Sequence, residues 1–308
     1  MKYFENQSTK KQERKKNILQ VVSTLITNAN IKGFWTGKIF TGKTKTVCVP
    51  GLNCYSCPGA IGSCPIGSLQ AVIGSKKFSM SYYVFGLIIL IGALFGRLVC
   101  GLMCPFGFVQ DLLYKIPTKK LKVPKKIDRG LRYAKYLILF VFVILLPMLL
   151  TNPFGLGAPY FCKLICPSGT LGGALPLLIK NKELRSTIGV LFFWKLSILI
   201  VIVLLSIFTY RPFCKYICPL GALYSFFNKI GFYKMEFHNE KCVGCKLCER
   251  ACKMDIDVRK TPNSLECIRC GACTSACSHE ALTTSFAGFA GLQKKKSELE
   301  GRGVENVE

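Results

Sequence analysis

Three long apolar runs divide the chain. They cover residues 82–99, 133–150 and 188–210, each close to the ~20 residues that a helix needs to cross a bilayer. Few charges interrupt them, and Arg97 and Lys135 stand near run ends, where a long side chain reaches back to water. Pro147 predicts a kink near the end of the second run, because proline removes a helix hydrogen bond. A weaker run at 17–35 has a short apolar core at 18–29 and is interrupted by Asn28, Asn30 and Lys32. It is expected to form a further span, since the charge pattern requires a crossing there. The segments between the runs carry Pro, Gly and Cys. Beyond residue 235 the apolar runs stop, and the tail from Ala287 is polar, with Gly and charge, which predicts disorder.

Charge orients this pattern. The chain carries 42 Lys+Arg against 16 Asp+Glu, a formal net charge of +26. Nine Lys/Arg fall in residues 115–135, and five more (Lys10, Lys11, Arg14, Lys15, Lys16) precede the first run. Under the positive-inside rule both stretches are cytoplasmic. Membrane topology thus accounts for the basic character, and nucleic-acid binding is not expected. There is no Cys-x-x-Cys-His haem attachment site and no G-x-x-x-x-G-K-[ST] phosphate loop.

The chemistry lies in the 18 cysteines. No cleavable signal peptide is read at the N-terminus, so a secreted disulfide scaffold is not expected, and the spacing points to metal. One phrase, Cys-Pro-x-Gly, occurs four times, at Cys64, Cys104, Cys166 and Cys218, and three copies have a partner four residues upstream: Cys100, Cys162 and Cys214. Proline suits the first position of a helix, so each phrase is expected to end a loop and open a helix. The N–H groups and partial positive charge at a helix start favour a bound anion such as a thiolate cluster.

The phrases repeat by halves. Arg97-x2-Cys100-x3-Cys104 aligns with Arg211-x2-Cys214-x3-Cys218 at an offset of 114 (97 to 211), and Cys64 aligns with Cys166 at 102 (64 to 166). Two halves of the same direction imply a pseudo-two-fold axis along the membrane normal. Cys100, Cys104, Cys214 and Cys218 are then expected to meet at the cytoplasmic end as a complete set for one 4Fe–4S cluster. On the outer side, Cys162 and Cys166 meet a loop carrying Cys48, Cys54, Cys57 and Cys64. By symmetry Cys57 and Cys64 complete a second set. The competing assignment puts Cys48, Cys54, Cys57 and Cys64 on one centre and leaves Cys162 and Cys166 free. A zinc site would use the same thiols but gives no reason for two stations.

Residues 237–281 resemble the bacterial two-cluster ferredoxins. They contain Cys242-x2-Cys245-x2-Cys248-x3-Cys252 and Cys267-x2-Cys270-x2-Cys273-x3-Cys277. The resemblance implies that the fourth cysteine of each run ligates the other cluster: Cys242, Cys245, Cys248 and Cys277 for one, Cys252, Cys267, Cys270 and Cys273 for the other. Lys253 and Ser278 stand where the family pattern has Pro.

Together, the Arg-x2-Cys-x3-Cys-Pro-x-Gly repeats and the terminal double run resemble the NapH-like membrane polyferredoxins over residues ~80–280. The resemblance implies a mainly α membrane protein of about four spans in two parallel-related halves, with short re-entrant or interfacial helices and a small α+β ferredoxin-like domain. The expected domains are a membrane part at 1–235, a ferredoxin part at 236–285 and a disordered tail at 286–308. The expected cofactors are 4Fe–4S clusters, two in the ferredoxin part and one or two more in the membrane part.

The expected role is an electron-transfer subunit rather than a stand-alone enzyme. It sits in the cytoplasmic membrane as a multi-pass protein with both termini cytoplasmic. Its partners are membrane lipid, a cytoplasmic donor or acceptor and an extracytoplasmic redox partner, in a multi-subunit complex. A quinol dehydrogenase subunit is the alternative. Quinol oxidation releases protons, and such a site needs a titratable group in or beside the membrane. The two histidines, His238 and His279, lie in the ferredoxin part, which leaves Asp111 either as a proton-handling group or as a water-exposed interfacial carboxylate. A redox-sensing or metal-handling role is a third possibility, but no separate kinase or DNA-binding segment accompanies it.

Overall fold

A computed structural model describes residues 7–75, 82–121, 123–186 and 188–286. The tail expected from Ala287 onward lies outside the described residues. The described chain is mostly helical, with one two-stranded antiparallel sheet.

All four Cys-Pro-x-Gly phrases open a helix. Cys64, Cys104, Cys166 and Cys218 are the capping residues before helices that begin at Pro65, Pro105, Pro167 and Pro219. The cause is local. Proline presets the backbone angle of the first helical turn and lacks an N–H that would have no partner there. The cysteine in front of it stays extended, and at Cys104 and Cys218 its sulfur accepts the N–H of the phrase's glycine.

Among the described residues two helices are long and apolar enough to cross a membrane, Lys125–Leu149 and Val190–Phe208. The first passes through π-helical turns at Leu139–Leu145 before Pro147, and this wider winding is the helix's adjustment to the missing proline N–H. The run expected as a span at 82–99 folds differently. Its helix, Tyr82–Phe95, has 14 residues. The chain then turns at Gly96 in a left-handed conformation (φ 55°) and continues as the short helix Leu98–Leu102.

The weak run also departs from expectation. A helix covers Gln7–Thr27, breaks at 28–30, and resumes as Ile31–Thr36. Its buried side chains are Thr9, Lys16, Gln20, Ser23 and Thr27, whereas Ile18, Leu19, Leu25 and Ile26 are exposed. Polar in and apolar out is the reverse of a helix folded in water. Val190–Phe208 shows the same outward face, with Phe193, Trp194, Val201 and Leu204 exposed. Apolar surface this extensive marks a lipid or partner contact.

The break at 28–30 has a structural use. Asn30 donates to the Pro58 carbonyl (2.8 Å), its N–H bonds the Gly59 carbonyl (3.1 Å), and Asn53 donates to Asn28 Oδ1 (3.1 Å). The residues that interrupt the apolar run are thus the anchors of the cysteine-rich loop.

The sheet pairs β1 (Tyr233–Phe237) with β2 (Leu282–Phe286), with Tyr233 opposite Phe286 and Phe237 opposite Leu282. β1 starts inside the stretch assigned to the membrane part. Two short helices, Leu247–Ala251 and Ala272–Ala276, pack on each other beside this sheet. Arg269 fastens this part to the rest, donating to the carbonyls of Phe95 (3.1 Å) and Asn228 (2.9 Å). Lys253, where the ferredoxin pattern has proline, bonds Glu13 on the N-terminal helix (2.9 Å).

Candidate metal centres

The cysteines gather into four sets. Cys242, Cys245, Cys248 and Cys277 line one small cavity of the terminal part, and Cys252, Cys267, Cys270 and Cys273 line another. The last cysteine of each run therefore sits with the other run.

The third set is Cys100, Cys104, Cys214 and Cys218. All four are buried and lie within electrostatic reach of one another. Two buried arginines tie the halves across this set. Arg97 donates to the Cys214 carbonyl (3.1 Å), and Arg211 donates to the Cys100 carbonyl (2.6 Å). The glycine of each phrase makes room for this exchange. A Cβ on Gly107 would stand 3.2 Å from the Cys100 carbonyl oxygen and 3.3 Å from Arg211, and one on Gly221 would stand 3.3 Å from Arg97. The glycine N–H also serves the sulfur, with Gly107 N to Cys104 Sγ at 3.4 Å and Gly221 N to Cys218 Sγ at 3.3 Å.

Charge balances around this inner set. Asp111 takes both arms of Arg211 (2.6 Å each) and the ammonium of Lys16 (2.8 Å). It is buried, which corrects the expectation of a water-exposed carboxylate. Burial opposes its ionisation, but Arg211 and Lys16 outweigh that and hold it well below the usual carboxylate range. Arg97 is answered by Glu266, which also takes Lys135 (2.6 Å). Arg97 and Lys135 are thus fully buried on Glu266 and do not reach back to water as their places near the run ends suggested.

The fourth set lines a cavity of about 580 Å³: Cys54, Cys64, Cys162 and Cys166, with Lys195 at its wall. Cys54 stands here, where repeat symmetry points to Cys57. Cys57 instead faces Asn28 Oδ1 (3.6 Å), and Cys48 bonds Ser68 Oγ (3.4 Å). Cys162 and Cys166 join Cys64 rather than standing apart, as the competing assignment would have them. The inner and outer sets share one core. Gly51 rests on Cys104, where a Cβ would meet the Cys104 Cα at 2.9 Å, and Tyr224 between the sets donates to the Pro50 carbonyl (3.1 Å).

Each set offers four thiols, the donor set that iron–sulfur clusters take. Burial pushes Cys64 and Cys162 up to about 12 and Cys214 up to about 11, so these sulfurs ionise readily only with a cation to compensate. Among the described residues no three Cys, His, Asp or Glu side chains converge on a single-ion site. One zinc would draw its thiolates to about 2.3 Å.

The family described as "4Fe-4S binding domain" matches residues 80–124 and 191–237, the two stretches that supply the inner set. Uncharacterized protein MJ0750 of Methanocaldococcus jannaschii is 35% identical over 206 residues, which cover 65% of this chain and 76% of that protein. The chain belongs to this family of 4Fe–4S proteins. The chain is also similar to uncharacterized protein MJ0749 of the same organism, 32% identical over 65% of this chain and 68% of that protein. Putative electron transport protein YccM of Escherichia coli is 25% identical over 69% of this chain and 57% of its own length. No solved structure matches the chain. The protein binds 4Fe–4S clusters.

Proposed function

We propose that the protein is a membrane-embedded electron carrier, in which the four cysteine sets hold four 4Fe–4S clusters in a row. The observation that carries this reading is the order of the sets. The set of Cys252, Cys267, Cys270 and Cys273 lies against the inner set, where a Cβ on Gly101 would meet the Ile268 carbonyl oxygen at 2.3 Å. The loop at Pro50 and Tyr224 then join the inner set to the outer one. A bound 4Fe–4S cluster supplies one-electron chemistry. The protein's own part is to space the sites, exclude water from the inner ones and neutralise their charge with Arg97 and Arg211.

On this reading residues 1–235 form the membrane part and 236–285 the ferredoxin part. The helices Gln7–Thr27 and Tyr82–Phe95 complete the membrane part beside the two longer spans. The apolar outward face of Gln7–Thr27 supports this. Both termini are cytoplasmic, following the basic stretches. A cytoplasmic protein exchanges electrons with the ferredoxin part, and an extracytoplasmic redox partner exchanges them at the outer set. The chain works as a subunit of such a complex. The quinol dehydrogenase reading, which the likeness to NapH-like proteins raises, needs a titratable group free to take a proton, and its main candidate, Asp111, is held by Arg211 and Lys16.

The test is iron and acid-labile sulfide per chain on protein purified without oxygen, with EPR after stepwise reduction. Four clusters amount to about sixteen iron atoms. About eight, with only ferredoxin-type signals, would reduce the protein to a membrane-tethered ferredoxin.

A further inference from the structure

One side chain recurs in both membrane-part sets. Gln110 lies six residues after Cys104, and Gln70 lies six residues after Cys64. Gln110 Nε2 is 3.2 Å from Cys214 Sγ, and Gln70 Nε2 is 3.3 Å from Cys162 Sγ. In each case a glutamine of the first half meets the upstream cysteine of the second. Both glutamines are buried, at 1% and 0% exposure.

The direction of each amide is set by its other end. The backbone N–H of Phe213 donates to Gln110 Oε1 (3.2 Å), and that of Phe161 donates to Gln70 Oε1 (3.0 Å). An N–H can be met only by the carbonyl end of the amide. The NH₂ end is therefore turned to the sulfur. Its second hydrogen has a place too, since each Nε2 also reaches the carbonyl four residues back, Phe106 (3.4 Å) or Ile66 (3.2 Å). The equivalent positions in the second half are Tyr224 and Gly172. They meet the cysteine-rich loop instead, Tyr224 at Pro50 and Gly172 beside Cys57. Each set thus has one oriented amide, and it bonds one sulfur.

We propose that Gln110 and Gln70 set the reduction potentials of the inner and outer centres, each through an N–H···S bond to one ligand sulfur. This rests on the reading of those cysteines as cluster ligands. Hydrogen bonds to the sulfurs are among the main controls of cluster potential. Reduction adds one electron to the cluster and increases negative charge on the ligand sulfurs. The bond is then stronger in the reduced state and favours it. Each glutamine raises the potential of its own centre and leaves the other centres unchanged.

The experiment is an EPR-monitored redox titration of the iron-loaded protein with iron counted per chain, on the natural protein, Gln110→Leu, Gln110→Glu and Gln70→Leu. Leucine removes the donor at similar volume. Glutamate keeps an acceptor for the Phe213 N–H, so its backbone contact survives. The expected result is unchanged iron and a lower midpoint for one signal only. In Gln110→Leu the reduced-to-oxidised ratio at fixed poise falls about tenfold, equivalent to about 59 mV for one electron. Gln110→Glu moves the same signal further down, because it adds negative charge. Gln70→Leu moves a different signal. Unchanged iron with every midpoint unchanged overturns the proposal and leaves the cluster reading standing. Loss of about four iron atoms from both Gln110 variants also overturns it, since the residue would then hold the site together rather than tune it. Natural protein with about eight iron atoms and no membrane-part signal removes the cluster reading itself, and the proposal with it.

Discussion

The inner and outer cysteine sets are built alike and finished differently. Each joins a Cys-Pro-x-Gly helix from one half to one from the other, and each has a glutamine bridging the halves. Around the inner set two buried arginines cross between the halves, and Asp111 and Glu266 balance them. All four inner thiols are buried, whereas the outer set lines a cavity of about 580 Å³ with Cys54 and Cys162 only partly buried. Among the described residues Lys195 is the cation that lines the outer cavity, where it bonds the Cys162 carbonyl (3.2 Å). On the proposed electron path, the difference teaches that one ligand frame can serve two positions. A site with neighbours on both sides can be sealed, and a site at the end of a path must stay open to a partner.

The largest effects that would break this comparison come from the cysteines. Cys218→Ala should remove about four of sixteen iron atoms and leave the outer signal, and Cys166→Ala should do the reverse. Cys54→Ala should cost the outer centre, while Cys57→Ala leaves iron content unchanged. Iron analysis showing the opposite for that last pair would restore the symmetric assignment.

Next comes the charge around the inner set. Asp111→Asn leaves Arg211 and Lys16 buried without their anion, and breaking such a pair costs about 3–5 kcal/mol. Thermal unfolding of the detergent-solubilised, iron-loaded protein should show that loss. Lys195→Met at the outer cavity should cost about 1 kcal/mol, the worth of one hydrogen bond. Equal losses from both variants would mean that the two sites do not differ in enclosure.

The smallest effects separate the glycines. At Gly107 a methyl group meets the Cys100 carbonyl and Arg211 within 3.3 Å, whereas at Gly67 its nearest neighbours are 3.8 Å and 3.9 Å away. Gly107→Ala should therefore cost about 1–3 kcal/mol, as overpacking does, and Gly67→Ala about 0.5 kcal/mol or less. The same unfolding measurement reads both. A Gly67→Ala cost as large as that of Gly107→Ala would show the outer site to be as tightly packed as the inner.

What could be read without a structure was whatever local stereochemistry dictates. Proline in the phrase Cys-Pro-x-Gly starts a helix at all four copies, so Cys64, Cys104, Cys166 and Cys218 were legible as helix caps, whereas Cys57-Pro58, outside that phrase, makes only a turn. Spacing alone also marked the two cysteine runs of the terminal part, and the matched Arg-x2-Cys-x3-Cys intervals revealed the halves. Other features needed the folded chain. Cys54 rather than Cys57 faces the outer cavity because Asn28, Asn30 and Asn53 hold an irregular loop against a helix break, and no periodic pattern governs such a loop. Asp111 is buried because a guanidinium from 100 residues away closes on it. The helix Gln7–Thr27 turns its polar side inward because Asp111 and the carbonyls of Gly101 and Met103 await it there. Apolar run length measures how hydrophobic a segment is, and not what its polar residues will meet. The chain's own order therefore determined where sulfur ligands start helices. Only the tertiary structure decided which sulfurs share a site and which sites are sealed, because those depend on partners far apart in sequence.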